Sequence, residues 1–119
     1  TSLGKALLLG LEDEEIRALF SGKIFEHSGP NTHGDVESLL ADLVVCRKRG
    51  WTRDNEEAEP GVNCVAAPIR DYRGDVISAI STSWVLESRP ELEPEKVASR
   101  VVKAAEEISR CMGWTGTED

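Results

Sequence analysis

The chain is predicted to be one α+β domain, a mainly antiparallel sheet flanked by helices, and three observations predict it. Its 119 residues match the commonest length of a single domain. Apolar residues recur at helical spacing near both ends, while two strand-like segments surround a turn between them. The order helices, strands, helix is that of an α+β fold.

Leu3 to Leu9 reads as a short first helix. Glu12 to Phe20 reads as a second, with Asp13, Glu14 and Glu15 at the positive end of its dipole and Ile16, Leu19 and Phe20 as its apolar stripe. Gly22 stops it, and Lys23 to Gly34 is polar loop. The clearest helix is Val36 to Arg49, where Val36, Leu39, Leu40, Leu43 and Val44 share a face. Asp35 is its N-cap, Arg47, Lys48 and Arg49 suit its negative end, and Gly50 suits a left-handed cap.

Trp51 to Arg53 is a candidate short strand, and Asp54 to Gly61 an acidic loop. Val62 to Arg70 and Val76 to Ser83 are strands around the turn Asp71-Tyr72-Arg73-Gly74. Pro68 lacks a ladder donor, so an edge or a bulge is expected there. Pro94 suits the first turn of a last helix running to about Cys111, with Val97, Val101, Ala104, Ala105, Ile108 and Met112 on one face. Gly113 ends it, and Thr115 to Asp119 should fray. Two strands are too few for a sheet covered by four helices, so further strands are expected upstream.

Composition narrows the functions. With 39 % hydrophobic residues the chain has material for one core, and its net charge of −8 argues against gripping a phosphate backbone. Cys46, Cys64 and Cys111 form no C-x-x-C pair, which points to free thiols in a reducing compartment. The longest apolar run, Ala6 to Leu9, is too short to span a bilayer. A cytoplasmic address with no membrane partner is expected.

The hairpin carries the best site. If its turn is a four-residue loop, Arg70 faces Asp75, Ala66 faces Ala79 and Cys64 faces Ser81, and alternation adds Ser83 to that face. Such a face of small residues receives a tightly packed helix or leaves a hollow, and the residues alone leave both open. Asp54, beside the acidic loop, reads on its own as a solvated aspartate. His27 and His33 flank a polar loop and read as surface histidines. A zinc site from Cys64, Asp54 and a histidine has suitable atoms without supporting spacing, and so does a Cys64–histidine nucleophile pair. No catalytic residue, metal or cofactor is expected.

Taken together, the motifs are specific. Leu3-Gly4-Lys5-Ala6-Leu7-Leu8 opens the chain, and the acidic run Glu12 to Glu15 follows. Then come Gly50-x3-Asp54-x2-Glu57-x6-Cys64-Val65-Ala66-Ala67-Pro68-Ile69-Arg70-Asp71 and, after Gly74, Ser78-Ala79-Ile80-Ser81-Thr82-Ser83. From Leu3 to Gly113 the chain closely resembles the C-terminal effector-binding domain of the isocitrate lyase regulator (IclR) family of bacterial transcription factors. Arg70 stands where that family often has an aromatic residue or histidine.

The resemblance implies a GAF-like effector domain, of which residues 1–119 are the later part. It places the first strands, a linker helix and a DNA-binding winged helix-turn-helix upstream of this chain. It also implies a small organic acid as effector (a 2-oxo, hydroxy, sugar or aromatic acid) and assembly into homodimers or homotetramers. DNA would be contacted only through the upstream domain. Carried over by residue, the effector pocket comprises Ser2, Leu3, Asp54, Cys64, Ser81 and Ser83. Backbone N–H groups of Ser2 and Leu3 suit a carboxylate, the two serine hydroxyls can donate to it, and Asp54 accepts from a ligand hydroxyl. Ligand binding would act allosterically, without turnover. Two alternatives remain: a domain kept for oligomerisation with a filled pocket, and an enzyme on the same scaffold using Cys64.

Overall fold

A computed structural model of the chain describes residues 1–26 and 28–116. The elements in order are α1 (Ser2–Leu8), α2 (Asp13–Leu19), α3 (Val36–Arg49), β1 (Thr52–Asn55), β2 (Val62–Arg70), β3 (Val76–Val85) and α4 (Pro94–Cys111). The three strands form one antiparallel sheet in the order β1-β2-β3. The α+β expectation holds.

Local chemistry fixes the helix ends. Asp35 caps α3 by accepting from the Ser38 N–H at 2.8 Å, and Gly50 closes it at φ 86°, where a side chain would be strained. Around α2, Glu12 and Glu15 form a reciprocal capping box. Pro94 stands in the first turn of α4, where its missing N–H has no helical partner to lose.

Two layers of helix enclose the sheet. On one face Val65, Ala67, Ile69 and Trp84 pack against Ala98, Val101 and Ala105 of α4. Burying each branched aliphatic side chain there contributes about 1.5–3 kcal/mol. The stripe expected on α4 is rotated: Ala98, Val101, Ala105 and Ser109 are buried, while Ile108 and Met112 are exposed. Small residues let the helix approach the strands closely, and Ser109 uses that proximity to accept from the Arg70 N–H at 2.9 Å. A second core joins Ile16 of α2 to Leu39, Leu40 and Leu43 of α3.

On the other face α1 lies across β2 and β3. At its end Gly10 sits so close to β3 that an added Cβ would stand 2.9 Å from the Val76 Cβ.

Two strand expectations need correction. The first strand spans Thr52–Asn55 instead of Trp51–Arg53, which draws Asp54 out of the acidic loop into the sheet opposite Cys64. The hairpin register is displaced by two residues: Cys64 pairs with Ser83, Ala66 with Ser81 and Pro68 with Ala79. The Asp71 N–H donates to the Asp75 carbonyl, so the connection has five residues, 71 to 75, and Arg70 pairs with Val76. An irregularity between Ile69 and Arg70 adds the second residue. A displacement of two keeps every side chain on its expected face. Pro68 lies beyond the end of β1 and next to that bulge, as its missing N–H requires.

Candidate functional site

The face beneath α1 carries two rows of polar and small side chains. Asp54, Cys64 and Ser83 make one row across the three strands, and Thr52, Ala66 and Ser81 the next. The start of α1 is fastened over them. The Ser2 hydroxyl donates to Cys64 Sγ, and the Ser2 carbonyl accepts from Thr52 Oγ1 at 2.6 Å. Ser2, Thr52, Asp54 and Cys64 are buried, whereas Leu3, Ser81 and Ser83 are exposed.

Helix α1 packs over the Thr52 and Cys64 part of the small-residue face, while Ser81 and Ser83 on the edge strand β3 are exposed. Ser81 and Ser83 also border a groove that runs from β3 to α4 past Trp84, Leu92 and Val97.

Asp54 is not the solvated loop residue that its neighbours in sequence implied. It is 4 % exposed, and its Oδ1 accepts from the N–H groups of Glu57 at 2.8 Å and Ala58 at 3.3 Å. It thereby closes the turn after β1 while standing in the row with Cys64. In α1, Thr1 takes up two first-turn N–H groups, its hydroxyl that of Gly4 and its carbonyl that of Lys5. The N–H groups of Ser2 and Leu3 have no such partner among the described residues.

The cluster that orients α1 was missed from sequence. Lys5 is buried, and its Nζ donates to Asp42 Oδ2 at 2.7 Å, to Glu57 Oε1 at 2.8 Å and to the Arg53 carbonyl. His33 reaches the same carboxylates, with Nε2 3.1 Å from Asp42 Oδ2 and 3.4 Å from Glu57 Oε1. Burial alone would lower the Lys5 pKa, but the hydrogen bonds and charges of Asp42 and Glu57 reverse that and hold it above the ordinary lysine value. For Asp42, burial would raise the pKa, and Lys5 together with His33 brings it below the ordinary aspartate value.

His33, Asp42 and Glu57 have the donor types of a metal site. The Lys5 ammonium is already bonded to the same carboxylates and supplies the cation they need. His33 is thus a partner in this cluster, not a plain surface histidine; His27 lies outside the described residues. The loop before α3 is seated here as well: Thr32 Oγ1 donates to the Glu57 carbonyl, and Gly29 approaches the Glu56 carbonyl so closely that a Cβ would stand 2.3 Å away.

Chemically, the row offers a carboxylate, a thiol and a hydroxyl side by side. Among the described residues the hydrogen bonds of Cys64 run to Ser2 and to the carbonyl of Val65, and none involves a histidine. Burial and the nearby Asp42 carboxylate push the Cys46 thiol up, the direction opposite to that of an activated thiolate. No helix of the described residues is long and apolar enough to cross a membrane.

Residues 1–110 match the protein family described as bacterial transcriptional regulator IclR C-terminal. The HTH-type transcriptional regulator KdgR of Dickeya chrysanthemi is 34 % identical over 114 residues, covering 96 % of this chain and 37 % of that protein. The chain spans less than half the length of the curated regulators it matches. Among solved structures, the C-terminal domain of Escherichia coli KdgR superposes with a TM-score of 0.83 at 32 % identity, over 96 % of this chain and 70 % of that one. IclR of Thermotoga maritima gives 0.81 at 35 % identity, over 96 % and 46 %.

Proposed function

Because this chain belongs to the IclR C-terminal family of bacterial transcriptional regulators, we propose that it is the later part of a regulator's effector-sensing domain. Its ligand is a small organic acid held over the sheet face beneath and beside α1. The observation that carries this reading is the juxtaposition of Ser2, Asp54 and Cys64, buried in one polar row, with the exposed Ser83 at the end of that row and Ser81 beside it.

The parts divide the work by their chemistry. The hydroxyls of Ser81 and Ser83 donate to the carboxylate, together with the Ser2 and Leu3 N–H groups. The Asp54 carboxylate accepts from a hydroxyl or hydrate on the ligand and disfavours a second carboxylate near it. Cys64 is a small, weakly polar wall, not a nucleophile, so no turnover takes place.

The open edge of β3 is where strands from upstream sequence would complete the sheet and the rim of the pocket. Ligand binding then shifts the arrangement of effector domains in a homodimer or homotetramer, and with it the presentation of an upstream helix-turn-helix to DNA. Reciprocity follows by linkage: DNA binding alters affinity for the acid by the same factor.

A thermal-shift screen of the full-length regulator against 2-oxo, hydroxy, sugar and aromatic acids tests this. An acid at a hundred times its dissociation constant adds about 2.7 kcal/mol of stability. Ser81→Ala with Ser83→Ala abolishes that shift. A shift that survives in the double variant places the ligand elsewhere, and no shift from any acid leaves oligomerisation as the domain's role.

A further inference from the structure

The chain carries a net charge of −8, yet one crevice of about 610 Å³ is lined by Arg47, Arg49, Arg70 and Arg73, with Glu106 the one carboxylate among its described lining residues. Arg47 and Arg49 come from the last turn of α3, where a helix dipole ordinarily accounts for basic residues. Arg70 and Arg73 come from the hairpin, which that explanation does not reach.

The four are held differently. Arg47 donates to the Leu11 carbonyl at 2.9 Å and lies 3.6 Å from Asp13, and Arg73 pairs with Asp71 and Asp75. Arg70 donates to the Gly74 carbonyl at 2.8 Å. Arg49 is fixed without a carboxylate among the described residues: its Nε donates to the Trp51 carbonyl at 2.9 Å, its Nη2 reaches the Cys46 sulfur at 3.7 Å, and its guanidinium lies 3.8 Å over the Trp51 ring. Trp114 lines the same crevice, and its indole Nε1 is buried with no acceptor among the described residues. A rigidly placed charge, further guanidiniums on the facing wall and an idle N–H donor together call for an acceptor-rich anion.

We infer that this crevice binds a compact oxyanion with two or more negative charges, a phosphorylated or polycarboxylate metabolite bridging α3 and the hairpin. The site is separate from Ser81 and Ser83. Calorimetric titration of the full-length regulator with pyrophosphate and with citrate tests it. One probe saturates at one per chain, weakens about tenfold in Arg49→Gln, the loss of one charge-assisted hydrogen bond, and weakens measurably in Trp114→Phe, which keeps the ring's packing. Affinity is unchanged in the Ser81→Ala, Ser83→Ala variant and falls as salt is raised. Preference for pyrophosphate identifies a phosphate ligand, and preference for citrate a polycarboxylate. Binding of neither probe, binding untouched by both crevice variants, or binding lost in the serine variant overturns the inference.

Discussion

Replacing Lys5 with methionine keeps the unbranched stem of the side chain and removes the ammonium, with its charge and its hydrogen bonds to Asp42, Glu57 and the Arg53 carbonyl, which isolates what that group does beneath α1. The Lys5 side chain is 4 % exposed, and its partners Glu57 and Asp42 are 13 % and 24 % exposed. Stranding one side of a buried ion pair costs about 3–5 kcal/mol. The residual solvent access of the two carboxylates and their contact with His33 bring the expected loss to about 3 kcal/mol, at the lower end of that range. For a chain of 119 residues this lowers Tm by about 12 °C, at roughly 4 °C per kcal/mol. Adding Asp42→Asn and Glu57→Gln removes the stranded charges, so the triple variant recovers at least half of the loss, a coupling that urea and thermal melts both read. A fall in Tm below about 3 °C for Lys5→Met, or a triple variant no more stable than the single, would refute the assignment of this cluster as the anchor of α1.

The same cluster sets a pH window. Asp42, whose folded pKa is lowered, contributes stability that is present above about pH 4 and is lost as pH falls through its lower folded value, so Asp42→Asn flattens the acid limb of a pH–stability curve. Lys5, whose folded pKa is raised, contributes fully below about pH 10 and loses its contribution as pH rises through the higher folded value, a limb that Lys5→Met removes. Asp35→Ala removes the α3 cap and costs about 1 kcal/mol in a urea melt, with no effect on effector affinity. Ser109→Ala removes the hydroxyl that accepts from the Arg70 N–H under α4 and costs about 1–3 kcal/mol, while Ser109→Thr, which keeps the hydroxyl, costs less.

What could be read in advance divides by range of interaction. Helix α3 emerged with its bounds because its cap Asp35, its stripe and its terminal Gly50 are each local signals carried by the helix's own residues and the two that flank it. The α4 stripe was misjudged in part because Ala98 and Ser109 join the expected Val101 and Ala105 at the contact, and small residues give periodicity little weight. The hairpin register missed by two because neither the five-residue connection nor the bulge at Ile69/Arg70 leaves a signature in residue types. The predicted face was unaffected by that error because a shift of two preserves it, so Cys64, Ser81 and Ser83 still share one side of the sheet. The Lys5, His33, Asp42 and Glu57 cluster was out of reach. Its members lie as many as 52 positions apart, and a lysine inside an apolar helix reads as an interruption until its partners are folded against it.

The most direct test of effector sensing is the affinity of the full-length regulator for its operator DNA, followed by fluorescence anisotropy with and without the acid identified by thermal shift. Saturating acid changes DNA affinity by a factor of about 5 to 150. That change vanishes when Ser81 and Ser83 are both alanine, although the variant binds DNA as tightly as the unmodified protein when no acid is present. An acid that binds the unmodified protein and leaves its DNA affinity unchanged contradicts the account.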